Sequence, residues 1–195
     1  LEASGQQPDA ISYSSVIDAY GKAMKPKNAA LWLEKMQAAN RRPDAISYSS
    51  VINAFGKTAK PADAAAWFRR MEAAGLRADT IAYNSVIDAF NKAKQPDQAT
   101  AWLQRLEASG ARANKVSYNS VIDAWGKAKQ PTKAAEWLAR MQACGVKPDE
   151  VSYALAIDAF AKARAPDEAA KWLERMEQAG FTPDQVVYSS VIGAY

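Results

Sequence analysis

The sequence predicts an all-α fold, an α-solenoid built from antiparallel helix-turn-helix repeats. Three observations support it: a sequence period of 35 residues, apolar residues at helical spacing in both halves of each period, and helix-starting and helix-ending residues at fixed points of the period. The apolar faces of each helix pair are too broad to be buried within that pair. Neighbouring pairs must therefore stack on one another.

The period is marked by a short stretch that reads Pro-Asp-Ala-Ile-Ser-Tyr-Ser from Pro43. Near-copies begin at Pro8, Ala78, Ala113, Pro148 and Pro183, each 35 residues from the next. This spacing predicts a repeat tail at 1–9, five full repeats at 10–44, 45–79, 80–114, 115–149 and 150–184, and the first helix of a partial repeat at 185–195. The phase of the repeat at both ends predicts a piece of a longer array.

The first helix of the repeat is predicted over about residues 11–23. Asp9 suits the N-cap position because its carboxylate can accept hydrogen bonds from the unpaired amides of the first helical turn. An apolar face follows at spacings of three and four residues, formed by Tyr13, Val16, Ile17, Tyr20 and Ala23.

The second helix is predicted to open at Pro26, whose relatives are Pro61, Pro96, Pro131 and Pro166. Proline is tolerated at the first helical position because its missing N–H has no intrahelical partner there. The apolar stripe is Ala29, Trp32, Leu33 and Met36, and the helix should end near Ala39. Asn40 then occupies the place of Gly5, Gly75, Gly110, Gly145 and Gly180, which predicts a left-handed C-cap.

The composition excludes several classes of site. The chain has no histidine and one cysteine, Cys144, which removes histidine-based catalysis, a disulfide framework and an ordinary structural zinc site. We therefore expect no catalytic residues, metal or cofactor. There is no apolar run long enough for a membrane span. The net charge of +4 permits an anionic partner without demanding one.

Two sets of aromatic residues recur with the period, and we interpret both as inter-repeat core. An alternative is that they form platforms on which nucleobases stack, but aromatic residues at helical spacing usually reflect packing. The sets are Trp32, Trp67, Trp102, Trp137 and Trp172, and Tyr20, Phe55, Phe90, Trp125, Phe160 and Tyr195.

Three periodic sets are less well explained by packing. The residue after the tyrosine is Ser14, Ser49, Asn84, Asn119, Ala154 or Ser189, which a solvated first turn explains only in part. The residue before each first helix is Asp9, Asp44, Asp79, Asn114, Asp149 or Asp184, for which an N-cap role is sufficient. Near the end of the first helix lie Lys22, Lys57, Lys92, Lys127 and Lys162. These lysines suit either the negative end of the helix or a phosphate backbone.

The repeat strongly resembles the pentatricopeptide repeat family of the plain 35-residue type. The carriers are the stretch Val/Ile-Ser-Tyr-Ser/Asn-Ser-Val-Ile-Asp-Ala, the following Lys-Ala, the stretch Ala-Ala-x-Trp-Leu-x-x-Met, and the Gly-x-x-Pro-Asp link. The tetratricopeptide family fits less well, since its period is about 34 residues. The resemblance implies a right-handed superhelix that binds single-stranded RNA, one nucleotide per repeat, in mitochondria or plastids.

In that family two side chains read each base: the polar residue after the tyrosine and the last residue of the same repeat. The implied pairs are Ser14 with Asp44, Ser49 with Asp79, Asn84 with Asn114, Asn119 with Asp149, and Ala154 with Asp184, while Ser189 begins a further pair. We call these the reader pairs. An apolar residue near the start of the first helix wedges the base; here these wedge residues are Ile11, Ile46, Ile81, Val116, Val151 and Val186. The five lysines would approach the phosphates.

The family's pairs imply the target 5′-G-G-(C/U)-U-3′, read from the N-terminus. The fifth repeat is degenerate, because Ala154 cannot form a hydrogen bond with a base. An alternative function is a helical-repeat scaffold that contacts proteins of a larger organellar assembly without reading RNA, since solenoid surfaces serve proteins equally well. No arrangement of nucleophile, base and orienting residue predicts an enzyme.

Overall fold

The computed structural model describes residues 8–195, so the predicted cap at Gly5 and most of the predicted tail at 1–9 lie outside the described residues. Over the described range the chain forms eleven α-helices and no strand. They are α1 (Ala10–Lys22), α2 (Pro26–Ala38), α3 (Ala45–Lys57), α4 (Pro61–Ala73), α5 (Thr80–Lys92), α6 (Pro96–Ala108), α7 (Lys115–Lys127), α8 (Pro131–Ala143), α9 (Glu150–Lys162), α10 (Pro166–Gln178) and α11 (Gln185–Ile192). The predicted ends of the first two helices agree with α1 and α2 to within one residue.

Within the described range, residues 8–93 and residues 94–195 form two compact units. In the first unit, α3 packs between α1 and α5. Within the hairpins of this unit, α1 packs on α2, and α3 packs on α4. In the second unit, α9 packs between α7 and α11 and also contacts α8 and α10. Odd-numbered helices therefore lie side by side within each unit, which places corresponding residues of successive repeats next to one another.

Each odd-numbered helix begins at an Asp or Asn cap, as the sequence predicts. In all six, Oδ1 of the cap accepts a hydrogen bond from the backbone N–H three residues later, at 2.8–3.2 Å. The capping residues are Asp9, Asp44, Asp79, Asn114, Asp149 and Asp184. The bond satisfies an amide that has no partner inside the helix, so the backbone fixes the position of each cap side chain.

The even-numbered helices α2 to α10 open on proline and are followed by a left-handed residue. Asn40 has φ 54°, and Gly75, Gly110, Gly145 and Gly180 have φ 75–85°, which confirms the predicted C-caps within the described residues. A second left-handed position lies in the turn inside each repeat, where φ is 53–56° at Met24, Ala59, Lys94, Lys129 and Arg164. Sequence reasoning missed this turn because none of these residues is a glycine.

The periodic aromatic residues are mainly core. Trp67, Trp102, Trp137 and Trp172 are 6–9% exposed, and each is covered by the arginine of the next helical turn, whose guanidinium carbon lies 3.9–5.1 Å from the ring centroid. Phe55, Phe90, Trp125 and Phe160 are also buried. These eight side chains are therefore not available as platforms for bases. Trp32 and Tyr20 are half-buried, and Tyr195, which was also predicted to be core, is exposed.

No helix within residues 8–195 is long and apolar enough to cross a membrane.

Candidate nucleic-acid interface

The six wedge residues form a periodic set of exposed apolar side chains. Each is the second residue of an odd-numbered helix, and their exposed fractions are 55–75%. A single exposed isoleucine or valine is ordinary on a protein surface. Here all six members of a periodic set are left uncovered by the stacking of the helices, so packing does not account for them. They are Ile11, Ile46, Ile81, Val116, Val151 and Val186.

The first reader pair is joined through a third residue. Ser14 Oγ lies 2.9 Å from Ser47 Oγ, and Ser47 Oγ donates to Asp44 Oδ1 at 2.7 Å. The backbone N–H of Ser47 donates to the same carboxylate oxygen at 2.8 Å. Ser47 is buried, whereas Ser14 is half-buried and Asp44 is exposed. The structure therefore brings the first predicted pair together at the surface, above a buried serine.

The second reader pair lines a hollow between two wedge residues. Ser49 and Asp79 share a depression of about 260 Å³ with Ile46 and Ile81. Ala45, Ser50 and Asn53 complete its lining, so the hollow combines hydrogen-bonding side chains with two exposed apolar side chains. A flat ligand with polar edges and apolar faces fits this arrangement.

The fourth reader pair is hydrogen-bonded directly. Asn119 Nδ2 donates to Asp149 Oδ1 at 3.3 Å, and Ser152 Oγ lies 2.8 Å from Asn119 Oδ1 and 3.0 Å from Asp149 Oδ1. Lys115 Nζ lies 3.2 Å from Asp149 Oδ2. Partial burial opposes ionisation of Asp149, but the hydrogen bonds from Ser152 and Lys115 outweigh it and lower the pKa of this carboxyl group. Asp149 is therefore an ionised acceptor at neutral pH.

The remaining reader residues belong to α5, α7, α9 and α11. Asn84 lies on α5 of the first unit, and Asn114 caps α7 of the second unit. Ala154 offers no polar atom beside Asp184, which caps α11. Ser189 is exposed on α11, where it lines an open depression with Val186.

The lysines near the ends of the odd-numbered helices are mostly held by an aspartate one turn earlier. Lys22, Lys92, Lys127 and Lys162 lie 2.6–2.7 Å from the carboxylates of Asp18, Asp88, Asp123 and Asp158. Exposed ion pairs of this kind contribute only about 0–1 kcal/mol, so a phosphate can replace the aspartate at little cost. Lys57 differs, because the corresponding residue is Asn53.

Two kinds of family model match the sequence. The model described as the PPR repeat family matches residues 8–57, 43–92 and 113–162, and the model described as the PPR repeat matches residues 81–110 and 151–181. The chain belongs to the pentatricopeptide repeat family. These matches confirm the resemblance drawn from the 35-residue period. A search of the curated proteins found no match to this pentatricopeptide repeat sequence.

Solved pentatricopeptide repeat structures share the fold. The crystal structure of maize PPR10 is 28% identical over 100% of this chain with a TM-score of 0.75. PPR10 in complex with an 18-nt psaJ RNA element is 25% identical over 97% of this chain with a TM-score of 0.81. This chain spans only 28% of the length of either PPR10 chain.

A more distant structure also shares the fold. The PPR domain of Arabidopsis thaliana protein-only RNase P 1, in complex with tRNA, is 14% identical with a TM-score of 0.78. That match covers 91% of this chain and 94% of the domain. The predicted all-α helical-repeat fold class is thereby confirmed.

Sequence reasoning missed the buried serines of this pentatricopeptide repeat chain. Ser47, Ser117 and Ser152 occupy the third position of an odd-numbered helix and are at most 1% exposed, whereas the equivalent residues Ala82 and Val187 carry no hydroxyl group. The available signal was a polar residue between two apolar residues at the start of a helix. Its partner could not be predicted, because Ser14 and Ser47 lie 33 residues apart in sequence.

Proposed function

We propose that this chain is a sequence-specific single-stranded RNA-binding module that takes one nucleotide per repeat and has no catalytic activity of its own. The observation that carries the proposal is the hollow in which Ser49 and Asp79 lie with Ile46 and Ile81. The complex of PPR10 with an RNA element, whose fold this chain shares over 97% of its length, supports RNA as the ligand.

A nucleobase has the chemistry that this hollow accommodates. Its faces are apolar and its edges carry hydrogen-bond donors and acceptors, so the wedge residues would cover the faces while a reader pair contacts an edge. Because odd-numbered helices lie side by side within each unit, successive reader pairs present successive bases. The periodic fold would then convert the order of the repeats into a nucleotide sequence.

The identities of the reader pairs give the proposed target 5′-G-G-(C/U)-U-3′. Ser14 with Asp44 and Ser49 with Asp79 are the guanine pairs, and an ionised carboxylate suits the adjacent N–H donors on the Watson–Crick edge of guanine. Asn84 with Asn114 takes a pyrimidine, and Asn119 with Asp149 takes uracil. The fifth repeat is not read, because Ala154 lacks a polar side chain.

The phosphates would be bound by Lys22, Lys57, Lys92, Lys127 and Lys162. Four of these lysines form exposed ion pairs with an aspartate, and such pairs are weak enough for a phosphate to displace the carboxylate. Lys57, beside Asn53, has no carboxylate to displace at that position. We expect Lys57 to contribute more to phosphate binding than any of the other four lysines.

The wider role we propose is that of an organellar RNA-processing or RNA-expression factor in mitochondria or plastids. Proteins of a larger organellar complex are further proposed partners.

An RNA titration tests the proposal. Octamers that contain 5′-G-G-C-U-3′ between adenines should bind at least about tenfold more tightly than octamers that contain 5′-C-C-A-A-3′, because the second sequence mismatches every step. Fluorescence anisotropy at several salt concentrations measures both affinities. If all five lysines neutralise phosphates, the log–log salt slope should approach about −3.5, at roughly −0.7 per phosphate.

Equal affinities for the two octamers would contradict base reading. If the chain binds none of the RNAs but retains a protein partner after nuclease treatment, the scaffold function is favoured instead.

Replacing Asp79 by asparagine separates base reading from helix capping. Asparagine caps a helix about as well as aspartate, so Asp79→Asn should change the free energy of unfolding by less than about 0.5 kcal/mol. The preference at the second step should shift from guanine toward adenine, because the side chain gains a donor. Unfolding in urea and titration with octamers varied at that step measure the two effects.

Asp79→Ala is the matched control, since it removes both functions. It should cost about 1 kcal/mol of stability through the lost cap and abolish the preference at the second step. An Asp79→Asn variant that still prefers guanine as strongly as the unmodified chain would show that Asp79 is only a cap.

A further inference from the structure

We infer that the buried serines Ser47 and Ser152 are positioning residues, which set the hydrogen-bonding groups that their reader pairs present to a base. We call them the bridging serines. Each lies at the third position of an odd-numbered helix and is at most 1% exposed. Each contacts both members of one reader pair. The inference rests on the proposed function and assigns it further specificity-determining residues.

The direction of the hydrogen bonds around Ser47 follows from the number of protons. An ionised carboxylate only accepts, so at 2.7 Å from Asp44 Oδ1 the Ser47 hydroxyl must donate to it. The single proton of Ser47 is then used, and Ser47 Oγ can only accept from Ser14 Oγ, 2.9 Å away. Consequently the Ser14 proton points inward and its lone pairs face the ligand.

This arrangement makes the first reader pair a pure acceptor. Ser14 offers lone pairs, and the second carboxylate oxygen of Asp44 offers more. The Watson–Crick edge of guanine carries two adjacent donor groups, which this pair satisfies, whereas the corresponding edge of adenine places an acceptor nitrogen beside its amino group. The bridge therefore rejects adenine by facing that nitrogen with another acceptor.

The bridge at the fourth reader pair, through Ser152, produces a mixed pair. Ser152 Oγ donates its single proton to Asn119 Oδ1 at 2.8 Å, the shorter of its two contacts with an acceptor oxygen. Asp149 Oδ1 accepts instead from the backbone N–H of Ser152 at 3.1 Å and from Asn119 Nδ2 at 3.3 Å. The reversed amide would place its oxygen against the carboxylate, so Ser152 and Asp149 together fix the orientation of the Asn119 amide. One N–H of Asn119 Nδ2 is bonded to Asp149, and the second N–H is available as a donor to a base. A donor beside a carboxylate complements uracil, which carries carbonyl oxygens next to an N–H.

The chain contains its own control for the first bridge. Ser49 with Asp79 repeats the residue types of Ser14 with Asp44, but the bridging position holds Ala82. Asp79 accepts the backbone N–H of Ala82 at 2.9 Å, so the helix cap is retained without a hydroxyl group below the pair. The Ser49 hydroxyl is then free of any bridge and can rotate to donate to adenine. The second step should consequently discriminate guanine from adenine less well than the first.

The test exchanges these two residues and measures guanine-over-adenine preference at each step with octamers that differ at one base. Ser47→Ala should lower the preference at the first step about fivefold, the size of one typical net hydrogen bond. Ala82→Ser should raise the preference at the second step by a similar factor. Other steps should not change. Thermal unfolding followed by circular dichroism confirms that each variant is folded.

If Ser47 were only structural, Ser47→Ala would lower the affinity for all octamers equally, and Ala82→Ser would not raise the guanine preference at the second step. If the unmodified protein prefers guanine and both variants keep the same preference, the inference is overturned but the proposed function is not. An unmodified protein without any base preference would overturn the proposed function and this inference together.

A second measurement needs no RNA. The side-chain amide signals of Asn119 in a ¹⁵N-correlated spectrum should shift in Ser152→Ala, because Asn119 Oδ1 loses the hydroxyl 2.8 Å away. Unshifted signals would overturn the bridge at the fourth reader pair, whatever the RNA titrations show.

Discussion

Replacing Ile46 by alanine is expected to weaken RNA binding about tenfold and to leave folding unchanged. Ile46 is 70% exposed and lines the hollow of Ser49 and Asp79. Full burial of an isoleucine side chain is worth about 1.5–3 kcal/mol, and most of this would be gained only when a base covers it. The free energy of unfolding should change by less than about 0.5 kcal/mol. Anisotropy titration and urea unfolding measure the two quantities.

Ile52→Ala in the same helix is the matched control. Ile52 is fully buried, so its truncation should cost about 2–5 kcal/mol of stability. The guanine preference of the Ile52→Ala variant, measured under conditions where the variant is folded, should equal that of the unmodified chain. The wedge contacts the face of a base and not its edge, so Ile46→Ala should weaken all octamers by a similar factor. Undiminished affinity in Ile46→Ala would remove the wedge role from this residue.

Most of the helix boundaries could be predicted because their causes are local. The cap at Asp44 depends on an amide three residues away, and the start at Pro61 depends on the fixed φ and missing N–H of proline. The spacing of apolar residues by three and four positions then predicted which face of each helix is buried. Ala59 shows the limit of this reasoning, because a left-handed alanine is held there by the hairpin and no glycine marks it in the sequence.

The candidate site was harder to predict, because its contacts join different repeats. The interpretation of Asp44 as either a cap or a reader treated two roles as alternatives. The structure shows that the cap bond uses Oδ1, which leaves the second carboxylate oxygen for another partner. The contact of Ser47 with Ser14 depends on how α1 and α3 stack, and no local pattern predicts that register.

The lysines are a different case, because their partners lie on the same helix. Lys22 and Asp18 are four residues apart on one helix, a spacing from which an ion pair can be predicted. Their pairing means that the row of cations is partly neutralised before any ligand arrives. The contribution of each phosphate contact is therefore a competition between two anions, and the salt slope measures its outcome.

Gly56→Ala is expected to destabilise the chain by about 2 kcal/mol, because the backbones of α3 and α5 approach closely at this glycine. A Cβ atom at position 56 would lie 2.4 Å from the backbone carbonyl oxygen of Ser85, and a backbone group cannot move aside as a flexible side chain would. Overpacking of this kind typically costs about 1–3 kcal/mol. The higher helix propensity of alanine, worth up to about 1 kcal/mol, offsets only part of that cost. Urea unfolding measures the net change.

Gly21→Ala gives the matched comparison in α1, the preceding odd-numbered helix. There the new Cβ would lie 3.1 Å from the carbonyl oxygen of Ser50, so a shift of a few tenths of an ångström relieves the contact and the gain in propensity roughly cancels the cost. The spacing of α3 and α5 also sets the distance between the wedge residues Ile46 and Ile81. Gly56→Ala should therefore weaken binding at the second guanine more than Gly21→Ala does. Equal stability of the two variants would show that helix packing at Gly56 is not the constraint that sets this step.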